Sequence, residues 1–134
     1  MESANKEDYL RGIYHLMEDD PDVKSVDLAD YLNITKPSVS EMLQQLNREG
    51  LVEYKKYSKL KFTSKGKKIA QKLTFKHRII ESFLKNMLRI NSEDVHEEAH
   101  RLEHAFSDEA IEKLRRLLGN PKEDPHGKPI PKFS

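Results

Sequence analysis

Between Glu93 and His104 the chain carries three histidines and a run of carboxylates at helical spacing. At about 100° per residue, His96, His100, Glu103 and His104 fall within an arc of roughly 100° on one helix face. Side chains four apart lie one above the other, so His96 neighbours His100 and His100 neighbours His104. Imidazole and carboxylate groups ligate divalent metals, and the chain has no cysteine, so a site here is built from nitrogen and oxygen donors. Two further sets fit that chemistry. His77 and Glu81 stand four apart on a preceding long helix, and Asp8 sits in the first turn of the opening helix. Each has an ordinary reading when taken alone: a solvated histidine, a His/Glu pair in solvent, a carboxylate favoured by the helix dipole. Together, these seven ligands on three helices suffice for two metal sites.

The elements that must position them follow from periodicity and caps. Apolar residues from Tyr9 to Met17 predict a first helix capped by Asn5 and ended by the acidic turn Glu18 to Asp22. Ser25 is expected to cap a short helix, Val26 to Leu32. After a turn at Asn33 to Pro37, a second helix runs to Glu49, with Thr35 as its cap and Gly50 as its stop. Two short helices around a tight polar turn match a helix-turn-helix, with Val26, Leu28, Leu32, Val39, Leu43 and Leu46 among its core residues. Lys36, Pro37, Ser38, Ser40, Glu41 and Gln44 then form the face offered to base edges in a major groove. Leu51 to Tyr54 and Leu60 to Thr63 predict a two-stranded hairpin. Its lysines Lys55, Lys56 and Lys59 suit DNA phosphates, which position a protein and give salt-dependent affinity.

A long helix is expected from about Lys65 to Leu88, then one over the histidine stretch. Ser107 caps a last helix, Asp108 to Leu118, with Ile111, Leu114, Leu117 and Leu118 inward and Gly119 as its stop. The apolar surface of these helices exceeds what one small domain needs and points to a homodimer. Asn120 to Ser134 reads as an irregular, proline-bearing tail.

Charge is segregated along the 134 residues although the net value is only +1. Lys55 to Arg78 holds ten Lys/Arg and no acid, while Glu93 to Glu109 holds seven acids and one arginine. The basic block suits a polyanion and the acidic flank a cation. No apolar run approaches the ~20 residues of a membrane span and no secretory signal opens the chain, so a cytoplasmic protein is expected.

With these residues in view, the chain resembles the diphtheria-toxin-repressor and manganese-transport-regulator family. The resemblance covers almost the whole chain: EDYLRGIY from Glu7 to Tyr14, KPSVS from Lys36 to Ser40, GLV from Gly50 to Val52, TSKGK from Thr63 to Lys67, HEEAHRLEH from His96 to His104, SDE from Ser107 to Glu109 and GKPIP from Gly127 to Pro131. It implies a homodimeric repressor that binds pseudo-palindromic operator DNA when loaded with a divalent metal, Fe²⁺ or Mn²⁺ foremost, in a form without the SH3-like third domain of many iron-type members. It also divides the ligands. Asp8 stands where iron-type members have methionine and manganese-type members aspartate, and His100 where they have cysteine and glutamate. Glu103 and His104 match both types. His77, Glu81 and His96 match the ancillary site of the iron type. Arg11 departs from the manganese type, which carries a metal-bridging glutamate there. The donor set Asp8, His100, Glu103 and His104 also suits Zn²⁺, Co²⁺ or Ni²⁺.

The fold expected is mainly α: a winged helix-turn-helix over residues 1–70, with a two-stranded wing, then an all-α metal-binding and dimerisation domain over 71–134. The competing function is a winged-helix regulator that senses an organic ligand. A zinc hydrolase is disfavoured because no HExxH helix or nucleophile set is present, and a plain partner-binding module because of the basic hairpin.

Overall fold

In a computed structural model, residues 4–132 are described. They form six helices and one two-stranded antiparallel sheet, in two compact units, Met1–Gln71 and Lys72–Ser134. Among the described residues no helix is long and apolar enough to cross a membrane.

The first unit opens with α1 (Lys6–Asp19). Its start is fixed by reciprocal bonds: Asp8 N–H donates to the Asn5 side chain and Asn5 N–H to Asp8 Oδ2, each at 3.0 Å. Tyr9, Leu10 and Ile13 are buried against Leu28 and Ala29 of α2 (Ser25–Leu32) and Val39, Leu43 and Leu46 of α3 (Lys36–Arg48), the core of the unit. Asn33, at φ 55, turns the chain out of α2, and Thr35 caps α3 by accepting from Ser38 N–H. Strands β1 (Val52–Glu53) and β2 (Lys61–Phe62) pair Val52 with Phe62 and Glu53 with Lys61. Leu60 N–H donates to Val23 O at 2.7 Å, tying the hairpin to the segment before α2. This is a helix-turn-helix with a wing.

The second unit contains most of α4 (Ser64–Asn86), then α5 (Ser92–Glu103) and α6 (Asp108–Leu117). Phe75, Ile79, Ile80 and Leu84 of α4 pack with Val95 and Ala99 of α5 and Ile111 and Leu114 of α6. All three helix faces follow the 3.6-residue period.

Four sequence expectations change. The cap of α2 is Lys24, whose N–H donates to the Asp27 carboxylate, and Ser25 is already helical. Val26 and Leu117 lie outside the cores, Leu117 at 67% exposure. Ile111, Leu114 and Leu118 already define the inward seam of α6, and Leu117 is turned about 100° from Leu118. Ser40 does not simply face outward: its hydroxyl is 3.1 Å from the Tyr54 hydroxyl and joins α3 to the hairpin. Finally, residues 122–130 have neither helix nor strand, as expected, but they are fastened in place. Asp124 N–H donates to Lys128 O, Ile130 N–H donates to Lys122 O, and Ile130 packs on the core.

Candidate metal centre and nucleic-acid face

Positions four apart bring His77 and Glu81 onto one face of α4, and packing of α4 on α5 brings His96 to them. His77 Nε2 lies 3.2 Å from His96 Nδ1 and 3.5 Å from Glu81 Oε1, and His96 Nδ1 lies 3.7 Å from Glu81 Oε2. Ligands held at about 2.1 Å from a tetrahedral or octahedral ion stand roughly 3.0–3.5 Å apart. The three donors therefore fit around one ion with little adjustment. Burial alone would raise the Glu81 carboxyl, but hydrogen bonds and charge from His77 and His96 outweigh it and hold the group far below the ordinary carboxylate range.

The other nitrogen of His77 is occupied. Nδ1 lies 3.0 Å from Glu103 Oε2, and both side chains are buried. Donation from Nδ1–H to that carboxylate leaves the Nε2 lone pair for a metal and fixes the ring, the arrangement typical of metal-bound histidines. Glu103 thus backs one donor group while belonging to another. Its Oε1 is 3.9 Å from His104 Nε2, and the rings of His104 and His100 meet edge to face at 5.4 Å between centroids. His100, Glu103 and His104 come together at the end of α5, where His104 is the cap and keeps helical dihedrals. Asp8 belongs to the first unit, in the capping bonds of α1.

Sequence reasoning missed two donors. Glu81, Asp124 and His126 form a second group of mutually close ligand atoms, sharing Glu81 with His77 and His96. Asp124 Oδ1 accepts the N–H groups of His126 and Lys128 at 2.9 Å each, and Arg78 donates to Pro129 O at 2.6 Å. These bonds fold the tail so that His126 Nδ1 reaches 3.9 Å from Glu81 Oε2. The signal was legible: Asp124, Pro125, His126 and Gly127 combine a turn-forming aspartate, a proline, a ligand and a glycine, which sits at φ 82.

In the first unit, Lys36, Pro37, Ser38, Glu41 and Gln44 are exposed on α3, and Lys55, Lys56 and Lys59 on the hairpin. Thr35 donates its hydroxyl to Ser38 Oγ, and Lys59 pairs with Asp22 at 3.0 Å. A groove of about 520 Å³ runs between the start of α3 and the hairpin tip, lined by Lys24, Lys36, Pro37, Tyr54, Lys56 and Tyr57 among others.

Residues 63–132 match the model of the iron dependent repressor metal binding and dimerisation domain, and residues 1–60 that of the iron dependent repressor N-terminal DNA binding domain. The chain belongs to the iron-dependent repressor family. It is 34% identical to the transcriptional regulator MntR of Geobacillus thermodenitrificans over 92% of this chain and 87% of that one. It is also similar to the iron-dependent repressor IdeR of Mycobacterium bovis, at 35% identity over 92% of this chain and 54% of IdeR. Among solved structures, that of the manganese regulator SloR superposes with a TM-score of 0.86 at 42% identity, over 98% of this chain and 61% of SloR. The chain therefore spans about half of IdeR and three-fifths of SloR. As in other iron-dependent repressors, the DNA-binding part precedes the metal-binding part. That order gives the two chemistries found above, a basic groove and clustered donors, their respective places.

Proposed function

We propose that this protein is a metal-dependent transcriptional repressor without catalytic activity, acting in the cytoplasm as a homodimer on pseudo-palindromic operator DNA. The observation that carries this reading is the donor group His77, Glu81 and His96, spaced for an ion, in a chain whose other unit is a winged helix-turn-helix. The proposed regulatory ion is Fe²⁺ or Mn²⁺, with Zn²⁺, Co²⁺ and Ni²⁺ compatible with the same nitrogen and oxygen donors. The proposed domain division is 1–70 and 71–134.

Two ligand sets are proposed. Asp8, His100, Glu103 and His104 form the primary one. His77, Glu81 and His96 form the ancillary one, with Asp124 and His126 adding to it through Glu81. Bound metal supplies a positive charge that draws these side chains into one arrangement. A ligand shifts an equilibrium only by its differential affinity for two states, so a divalent ion held by these residues would act by favouring the arrangement in which two copies of α3 reach successive major grooves. Lys36, Pro37, Ser38, Glu41 and Gln44 then approach base edges, Ser40 braces the wing, and Lys55, Lys56 and Lys59 contact phosphates.

The test is DNA binding under anaerobic conditions, using a duplex selected from a random pool, with chelator and with each of the five metals. Affinity is expected to rise with Mn²⁺ or Fe²⁺ by about 5- to 150-fold. Equal affinity in chelator and saturating metal rejects the proposal and favours a regulator sensing an organic ligand. A separate expectation concerns stoichiometry. Glu81→Gln removes the ligand shared by two donor groups, and calorimetry should then lose one binding event while that at the primary set persists.

A further inference from the structure

Tyr57 stands at the tip of the wing, in a position that a tyrosine disfavours. Ser58 N–H donates to Lys55 O at 3.0 Å, closing a turn in which Tyr57 is the third residue, and its φ is 67. A positive φ at that place in a turn is the province of glycine or asparagine, because a Cβ crowds the backbone there. The ring recovers nothing from the core: at 83% exposure it is the most open of the large apolar side chains described. The ring meets a cation, the Lys56 ammonium 5.2 Å from its centroid. Tyr57 also walls the groove that Lys24, Lys36, Pro37 and Lys56 line at the start of the recognition helix. A partner lying along both edges of that groove meets lysines from both, so it is a polyanion that continues from helix to wing tip.

We infer that Tyr57 is an uncharged DNA contact of the wing, its ring lying on the deoxyribose wall of a minor groove and its hydroxyl on a phosphate. The cost of the tyrosine in the free protein is offset in the complex, while Lys56 holds the ring and meets an adjacent phosphate. This rests on the proposed DNA-binding function and adds to it a determinant that salt does not screen.

The experiment uses the full chain, loaded with Mn²⁺, and the selected duplex, with Tyr57→Gly and Tyr57→Asn as variants that suit the turn. Both should melt at or above the wild-type temperature. Both should bind DNA about tenfold more weakly, equivalent to ~1.4 kcal/mol. The slope of log affinity against log salt should stay at the wild-type value, whereas Lys56→Ala should make it shallower by about one. Wild-type affinity in both variants overturns the inference. So does a slope change equal to that of Lys56→Ala, because Tyr57 would then act only by holding the lysine. Failure of the metal-loaded wild type to bind any duplex overturns the proposed function instead.

Discussion

Asp8→Asn is expected to leave a folded chain whose affinity for the selected duplex no longer rises with Mn²⁺. The choice of asparagine follows from the cap of α1. Asp8 Oδ2 accepts the Asn5 N–H at 3.0 Å, so Asp8→Ala would remove a capping bond as well as a ligand. A lost cap costs about 0.5–2 kcal/mol by itself and would blur the reading. Asparagine can keep the acceptor and lacks only the charge that a divalent ion requires. His104→Ala tests the same proposed set from the other unit, at a cap position that contributes no core packing. Both variants should fall to the chelated affinity of the wild type, a loss of about 5- to 150-fold. A readout without DNA accompanies this: saturating Mn²⁺ raises stability by roughly 2.7 kcal/mol at one hundred times its dissociation constant, and much of that increment should vanish. Retention of the full DNA response in both variants would remove Asp8 and His104 from the regulatory site.

The helices, and every expected helix cap except that of α2, were legible because the signals are local. Asn5 and Thr35 cap by bonding to residues three ahead, and Ile111 with Leu114 mark a face through a period of 3.6. The pairing of His77 with Glu81 was visible for the same reason. What sequence did not disclose depends on distant segments. The bond from His77 to Glu103 spans 26 positions, and that from Arg78 to Pro129 spans 51. Asp124 and His126 were passed over because proline and glycine suggest irregular backbone, whereas here they make a tight turn fastened to α4. The sequence places Tyr57 in the hairpin turn between Lys55 and Lys59, but not its positive φ. The structure therefore adds to the sequence the third-party contacts, those that orient a ligand or return a tail, and leaves the primary periodic reading in place.

Gly66→Ala should be among the most destabilising single-methyl changes in the first unit, although helix propensity argues the reverse. Gly66 lies in the first turn of α4, where alanine would ordinarily gain about 1 kcal/mol over glycine if backbone freedom alone mattered. A Cβ there, however, would stand 1.8 Å from Leu51 O and 2.7 Å from Leu51 C. Those are backbone atoms and cannot swing aside. Leu51 O already accepts Thr63 N–H at 3.2 Å and the Thr63 hydroxyl at 3.1 Å, and Gly66 N–H donates to that same hydroxyl at 3.0 Å. Relief requires α4 to part from the segment entering β1. That would strain the register in which Val52 faces Phe62 and disturb buried Leu51 and Leu60. Overpacking against a fixed backbone costs typically 1–3 kcal/mol and, with the lost bonds, should reach about 3–5 kcal/mol here. Such a loss is a large share of a small domain's ~5–15 kcal/mol. Gly12→Ala is the control: its Cβ would meet Leu28 Cδ1 at 3.2 Å, a side-chain methyl that can yield. Urea denaturation should show Gly66→Ala lowering the midpoint far more than Gly12→Ala, with DNA binding lost even in saturating metal. A midpoint for Gly66→Ala at or above wild type would mean that propensity wins and that α4 does not start against Leu51.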